Sequence, residues 1–252
     1  MKLLDHKVAV ITGAGSGIGK AIAQLFAHHG AEVVLVDTKY ENIEAVAAQI
    51  SRSKGNVKCF AADVAKEASV KELFKFVIET YGTVDILVNN AGIMDDFVPV
   101  ADLQNKQWKR VMGTNLSGPF YCCRSAIRTF LKKGRGNIIN ISSVAGLYGG
   151  RAGLAYTVSK HGLIGLTKNI GYQYALKGIR CNAIAPGGIE TNILYESHPN
   201  PFGLDRMEAG SANMPPAESP ERVAKISLFL ATDDSAYING TVVVADGGWT
   251  AY

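Results

Sequence analysis

Apolar residues in this chain come in short unbroken runs, separated by stretches in which they recur every three or four positions. The runs VAVIT (8–12), AEVVLVD (31–37), VKCFAAD (57–63), VDILVN (84–89), GNIINIS (136–142), IRCNAIAP (179–186) and TVVVADG (241–247) have strand length and are rich in β-branched residues. Helical spacing fits 21–30, where Gly30 supplies a stop, then about 41–53, 67–80, 104–133, 155–177 and 220–231. Gly113, Gly118 and Pro119 predict a break within 104–133. Residues 187–219 are rich in Pro, Gly and Asn and read as one long irregular loop, the kind that often serves as a lid. The strands are continuously apolar rather than alternating, as a sheet covered on both faces requires. Strand–helix alternation with short connections predicts right-handed βαβ units. The expected fold class is α/β, a single doubly wound parallel sheet of about seven strands spanning 1–252.

The turn after the first strand carries TGAGSGIG (12–19), with glycines at 13, 15, 17 and 19. Small residues there let backbone approach a pyrophosphate, whose charge meets the N-terminus of the following helix. Gly13, Ser16, Gly17, Ile18 and Gly19 are therefore candidate cofactor residues. Asp37 ends the second strand, where a carboxylate can bind both ribose hydroxyls of an adenosine half. It would repel a 2′-phosphate, and Ser16 adds no positive charge, so NAD is expected over NADP. Lys39, two residues on, is the one feature that would soften this exclusion. Asp63 and Val64 end the third strand on the same edge and are placed to flank adenine. Asn89-Asn90-Ala91-Gly92 ends the fourth, and its small residues and amides would support both cofactor and neighbouring strand, with Asn90 a candidate cofactor residue.

The fifth strand ends in Ser142-Ser143, and Tyr156 and Lys160 follow within YTVSK. Four residues apart on a helix, Tyr156 and Lys160 share a face. A free tyrosine titrates at about 10, too high for a base at neutral pH. A lysine ammonium one turn away favours the phenolate. Lowering the pKa by ~3 units corresponds to roughly 4 kcal/mol.

Composition narrows the function classes. Apolar residues make up 47% and charged residues 19%, so the chain is globular rather than disordered. The net charge of +4 is spread along the chain without a run of five like charges, giving no support for nucleic-acid or membrane-surface binding. No segment reaches the roughly 18 apolar residues of a spanning helix. The start, MKLLDHKVAV, places Asp5, His6 and Lys7 where a secretory signal needs apolar residues, so a cytoplasmic location is expected. Cys59, Cys122, Cys123 and Cys181 form no CxxC pair or zinc spacing and are expected to be reduced thiols; no metal site is expected.

Taken together, TGAGSGIG, Asp37, NNAG, Asn115, Ser143 and the Tyr156/Lys160 pair resemble the short-chain dehydrogenase/reductase family, in order and spacing over essentially the whole chain. The resemblance implies a Rossmann-like dehydrogenase domain and hydride transfer between NAD and a secondary alcohol or ketone. Tyr156 would be the general acid/base, and Ser143 would hydrogen-bond the substrate oxygen. Lys160 would lower the tyrosine pKa and bind the nicotinamide ribose, and Asn115 would hold a proton-relay water. Pro186-Gly187-Gly188-Ile189-Glu190-Thr191 matches the family's loop after the sixth strand, so the Ile189 backbone and Thr191 hydroxyl would bind the nicotinamide amide. His161 points to another helix face and is expected to be structural.

Candidate substrate-pocket residues are Met94, Val144, Ala145, Leu147 and the segment 193–214, which includes Ile193, Leu194, Tyr195, Phe202, Leu204, Met207 and Met214, with His198 and Arg206 its only basic residues. This mixture favours a small or medium, largely neutral alcohol or ketone, with sugar and steroid substrates left open. A 3-oxoacyl-[acyl carrier protein] reductase is the alternative, although Asp37 argues against the NADPH such enzymes usually resemble binders of. Epimerases and dehydratases generally need more chain after the sixth strand. A non-catalytic NAD-binding regulatory protein would have no chemical need for the Asn115/Ser143/Tyr156/Lys160 set. The resemblance also implies a homotetramer, with the helices near 104–133 and 155–177 packing across one interface and the last strand and tail across another. Trp249 and Tyr252 in that tail would fill an interface or reach a neighbouring pocket.

Overall fold

In the computed structural model, which describes residues 2–53, 55–194 and 198–251, the seven apolar runs form one all-parallel sheet. Its strands are β1 (Val8–Thr12), β2 (Glu32–Asp37), β3 (Asn56–Ala61), β4 (Ile86–Asn89), β5 (Gly136–Ile141), β6 (Ile179–Pro186) and β7 (Val242–Ala245), in the order β3-β2-β1-β4-β5-β6-β7. The helices are α1 (Gly17–His28), α2 (Tyr40–Arg52), α3 (Glu67–Tyr81), α4 (Asn105–Met112), α5 (Gly118–Lys133), α6 (Leu154–Tyr174), α7 (Pro201–Ala209) and α8 (Pro220–Ala231).

The unbroken apolar strands follow from the two cores. In β1, Ala9 and Ile11 point into one core with Ile22 and Phe26 of α1, Ile43 of α2 and Val223 of α8. Val8 and Val10 point into the other, with Leu73 of α3, Phe130 of α5 and Ile170 of α6. Burying a side chain such as Phe26 or Phe130 stabilises the fold by roughly 1.5–3 kcal/mol each. The order in which strands are added reverses between β1 and β4, the switch point at which a crevice opens outside the carboxyl ends of the strands. No described helix is long and apolar enough to cross a membrane. All four cysteines are free thiols, three of them buried.

The structure corrects three expectations. First, α1 begins at Gly17 rather than near residue 21, so the glycine turn feeds directly into the helix. Second, residues 104–133 do not break. Gly113–Ser117 form a π-helical turn that joins α4 to α5 and inserts one extra residue per turn. Third, the segment 187–219 is not irregular throughout. It holds a 3₁₀ turn at Asn192–Leu194 and the helix α7, whose first residue is Pro201 and whose N-cap Asn200 accepts from the Gly203 amide at 3.0 Å.

Candidate active site

Apart from Asn115 in the turn between α4 and α5 and Tyr156 and Lys160 on α6, each expected site residue lies at or just beyond a strand's carboxyl end. The glycine turn follows β1, Asp37 closes β2, Asp63 and Val64 follow β3, Asn90 follows β4, Ser143 follows β5, and Ile189 and Thr191 follow β6. They therefore share one edge of the sheet.

The glycine turn is built for close backbone approach. Gly13 has φ +64°, a conformation that L side chains rarely adopt. A Cβ on Gly19 would strike the Gly13 carbonyl oxygen. Asn90 fixes this turn by donating from Nδ2 to the carbonyls of Thr12 and Gly13, both at 3.0 Å. Thr12 answers from beneath, its hydroxyl accepting from the Asn90 and Ala91 amides at 3.0 and 3.1 Å. The turn also meets the loop after β6, because a Cβ on Gly17 would lie 3.1 Å from the Thr191 methyl. Ser16, the α1 N-cap, is exposed and makes no side-chain capping bond. Ile18 and Ile189 are partly buried against the core.

Asp37 turns its carboxylate into the same crevice. One oxygen accepts from the Gly15 amide at 3.1 Å and the other from the Lys39 amide at 3.2 Å. Asp63 is partly exposed, accepts from the Ala65 amide at 3.0 Å and pairs with Lys66 at 3.4 Å. Val64 is buried, and a Cβ on Gly118 of α5 would lie 2.9 Å from its side chain.

Helix α6 presents Tyr156 and Lys160 on one face. Both are buried, and the Lys160 Nζ lies 5.4 Å from the centre of the Tyr156 ring. Burial pushes the Tyr156 phenol up to about 12; its hydrogen bond with Ser143 pulls it down, and the Asp95 charge pushes it up again. Burial also lowers Lys160 to about 8, so it remains mostly protonated at neutral pH. The Lys160 ammonium donates to the Ile141 carbonyl at 2.9 Å, leaving further N–H donors for a ligand hydroxyl. The simple expectation that the ammonium depresses the phenol therefore does not hold for the protein alone: desolvation dominates.

Asn115 sits in the π-helical turn and is fully buried. Its Oδ1 accepts from the Ile93 amide at 2.9 Å, and its Nδ2 donates to the Ile93 carbonyl at 2.9 Å and to Ser159 at 3.2 Å. The Ser159 hydroxyl in turn donates to the Tyr156 carbonyl at 2.7 Å. Asn115 thus clamps the segment after β4 onto α6, with one Oδ1 lone pair left for a water. A Cβ on Gly92 would lie 3.5 Å from Lys160 Nζ and 3.6 Å from Asn115 Oδ1, so all three groups border one small space.

The protein-family model described as enoyl-(acyl carrier protein) reductase matches residues 13–250. A 3beta-hydroxysteroid dehydrogenase 2 of Eggerthella lenta is 40% identical over 99% of this chain and 97% of its own. The chain belongs to the short-chain dehydrogenase/reductase family. A 3-oxoacyl-[acyl-carrier-protein] reductase of Thermotoga maritima is 38% identical over 97% of this chain and 98% of its own. Among solved structures, one described as an NAD(P)-dependent gluconate 5-dehydrogenase of Beutenbergia cavernae, with NADP bound at low occupancy, superposes with a TM-score of 0.88. That protein is 33% identical, over 99% of this chain and 98% of its own. Members of the family are oxidoreductases that act on alcohols and ketones with a nicotinamide cofactor, and this chain is one of them.

In this dehydrogenase, sequence reasoning missed Asp95, Thr12 and Ser159. Asp95 is fully buried and accepts from the Tyr156 amide at 2.8 Å and the Phe97 amide at 3.3 Å. It fills the place that a Cβ on Gly153, the α6 N-cap, would need. A carboxylate thus caps the helix that carries the Tyr/Lys pair, where the dipole favours negative charge. Burial raises its pKa, partly offset by these backbone hydrogen bonds.

Trp249 is only 5% exposed within its own chain, and the Arg151 guanidinium stacks 4.1 Å above its ring. Tyr252 and Tyr195 lie outside the described residues. Of the pocket candidates, Val144 and Ala145 are buried, whereas Ile193, Phe202 and Met214 are exposed. His161 is exposed and bonds through Nδ1 to the Thr157 carbonyl at 2.9 Å.

Proposed function

We propose that this dehydrogenase transfers a hydride between NAD and a secondary alcohol or ketone of small to medium size, with Tyr156 as the acid/base. The arrangement of Tyr156, Ser143 and Lys160 carries this reading. A neutral phenol bonded to Ser143 is a competent proton donor for a carbonyl oxygen held between the two hydroxyls. In the oxidation direction the same phenol must first lose its proton, so Lys160 beside it has to offset the burial.

The residues present fit a dinucleotide. Gly13, Ser16, Gly17, Ile18 and Gly19 would cradle the pyrophosphate, Asp37 the adenosine ribose, and Asp63, Val64 and Asn90 the adenine side. Lys160 would bind the second ribose with its remaining N–H donors, and Ile189 and Thr191 would hold the nicotinamide amide. The bound nicotinamide supplies the hydride and, when oxidised, a positive charge near the phenol. Asp37 supports NAD over NADP: a 2′-phosphate would meet a carboxylate already anchored by the Gly15 and Lys39 amides. Asn115 would steady the site and keep a relay water by its free lone pair.

Four unpaired cysteines suit a reducing compartment such as the cytoplasm. Exposed Phe120 and Leu131 on α5, Tyr172 on α6, and Val244 on β7 support a homotetramer. The second reading, reduction of an acyl thioester on a carrier protein, is favoured by the family-model description and the Thermotoga maritima relative. A panel of alcohols, ketones and 3-oxoacyl thioesters, followed by NADH and NADPH absorbance, tests both. No turnover of any member would overturn the oxidoreductase assignment, and a preference for NADPH would overturn the role of Asp37.

A further inference from the structure

Between the loop that joins the Ser143 turn to α6 and the C-terminal end of α7 lies a cavity of about 370 Å³, lined by Tyr148, Gly150, Arg151, Arg206, Ala209 and Gly210. Two of its six lining residues are arginines. Arg151 is held rigidly, one guanidinium nitrogen bonded to the Gly210 carbonyl and its plane stacked on Trp249. The rest of its five donors remain for a ligand. Arg206 is exposed, and among the described residues it makes neither an ion pair nor a hydrogen bond.

Acceptors are scarce around this pair. Asp205 and Glu208 share α7 with Arg206, yet neither comes within ion-pair distance of it or of Arg151. Asp246, near the tail, is engaged by the Gly248 and Thr250 amides and the Thr250 hydroxyl. The Tyr148 hydroxyl donates to the Thr250 carbonyl at 3.2 Å. Beneath Arg151, the Trp249 indole N–H is buried without an acceptor. Two arginines lining one cavity bring like charges to it that an anion between them would offset, and their planar forks match carboxylate or phosphate oxygens.

The cavity is also in register with the chemistry. Tyr148 comes five residues after Ser143, and Arg151 comes five before Tyr156. Three residues of loop and two of helix put the Arg151 backbone within roughly 15 Å of the Tyr156 backbone.

We propose that Arg151 and Arg206 form an anion subsite, and that the substrate is a hydroxy or oxo compound carrying a carboxylate or phosphate group remote from the reacting carbon. The proposal rests on the hydride-transfer reading above and replaces the largely neutral substrate that the sequence suggests. The free anionic group docks between the two arginines while the carbonyl lies between Ser143 and Tyr156.

The test compares a ladder of ketone acids, from 4-oxopentanoate to 10-oxoundecanoate, with their methyl esters, using the NADH-saturated enzyme. At the chain length that spans the two sites, the acid's kcat/KM should exceed the ester's by about tenfold or more, chiefly through KM. Arg206→Ala should erase that ratio, Arg206→Lys should restore part of it, and Arg206→Glu should invert it. Acetoacetyl-phosphopantetheine against acetoacetyl-pantetheine is the phosphate arm; an Arg206-dependent ratio in this pair alone assigns the anion to a carrier's phosphate. Equal rates within every pair, or ratios indifferent to Arg206, overturn the subsite while leaving the hydride-transfer reading intact. If neither acids, esters nor thioesters turn over, hydride transfer itself has failed. Calorimetric titration of 10-oxoundecanoate into the wild-type and Arg206→Ala holoproteins then decides the subsite: tighter binding to wild type supports it, and equal or absent binding overturns it.

Discussion

Tyr156 is caught between two opposing effects, and with the acid/base role proposed for it the outcome sets the pH behaviour of the enzyme. Burial and the Asp95 charge raise the phenol to about 12, while the Ser143 hydrogen bond opposes them. Reduction needs the protonated phenol, which is present throughout the neutral range. Oxidation needs the phenolate, whose fraction rises tenfold per pH unit below the pKa. We therefore expect kcat/KM for ketone reduction to stay flat from pH 6 to 8 and that for alcohol oxidation to climb steeply; a flat oxidation profile would remove Tyr156 as base. Tyr156→Phe should cut turnover by several orders of magnitude while NADH fluorescence still reports binding, and near-normal turnover would exclude the role. Lys160 gives a counter-intuitive expectation. Its folded pKa of about 8 is lowered from 10.5 by burial, so the unfolded chain binds more protons between those values. Stability then rises with pH across that window, and below it the full penalty, on the order of 3 kcal/mol, is present. Lys160→Met removes this penalty and loses the bond to the Ile141 carbonyl. At pH 7 the cofactor-free variant should melt a few degrees higher than wild type although it has lost turnover, and the gain should vanish near pH 10.5. A lower melting point at pH 7 would show that the bond outweighs the burial.

At the level of elements, the start of α6 depends on a group that no local pattern reveals. Asp95 lies 61 positions before Tyr156 and caps the helix across that distance. Asp95→Asn keeps the shape but removes the charge from the helix N-terminus, at a cost of about 1–2 kcal/mol. Because the Asp95 charge holds the phenol up, the alkaline limb of oxidation should move to lower pH in this variant. An unmoved limb alongside the stability loss would make Asp95 a cap and nothing more. Such contacts mark the limit of what the pattern of residues carries. The strands were legible because both of their faces are apolar, and β1 and β6 have the bounds the runs imply. Strand ends placed Asp37 and Ser143, and helical spacing put Tyr156 and Lys160 on one face of α6, while the roles proposed for them came from the family resemblance. The helix α7 was not, because none of its residues is buried and it has no apolar face to read. It is placed by tertiary contact instead, with Gly203 pressed against the Phe97 carbonyl and the Asn200 amide donating to the Asp96 carbonyl at 2.8 Å. The π-helical turn was hidden for a similar reason: a shift of one hydrogen-bond register leaves no trace in hydrophobic spacing, while Asn115 inside it is fixed by Ile93 and Ser159.

On the scale of the whole molecule, the sheet covers its two faces with helices but leaves apolar surface at its ends. Strand β7 is an edge, paired only with β6, and Val244 on it is 45% exposed. On α5, Phe120 and Leu131 are 43% and 45% exposed, and Tyr172 on α6 is 86% exposed. An unpaired edge strand invites pairing with another chain, and clustered exposed apolar side chains mark an interface. The proposed homotetramer needs two separate self-complementary patches, which would give three perpendicular two-fold axes rather than an open fibre. Light scattering should therefore give four times the 26.9 kDa chain mass. Val244→Arg places a charge at the β7 patch and Phe120→Arg one at the α5 patch. Each alone should yield dimers and the pair together monomers, because a stable interface of about 1,200–2,000 Å² does not tolerate an unpaired buried charge at its centre. Val244 and Phe120 are 45% and 43% exposed in the single chain, so circular dichroism and the melting point of each variant against wild type separate a loss of assembly from a loss of folding. Dimers from only one of the two variants would assign the other patch to solvent, and a monomeric wild type would remove the assembly altogether. The variants also bear on the active site, because the π-helical turn leading into α5 carries Asn115 and α6 carries Tyr156. If the Phe120→Arg dimer keeps its kcat, each subunit positions Tyr156 by its own contacts, as the bonds from Asp95 and Ser159 within one chain require.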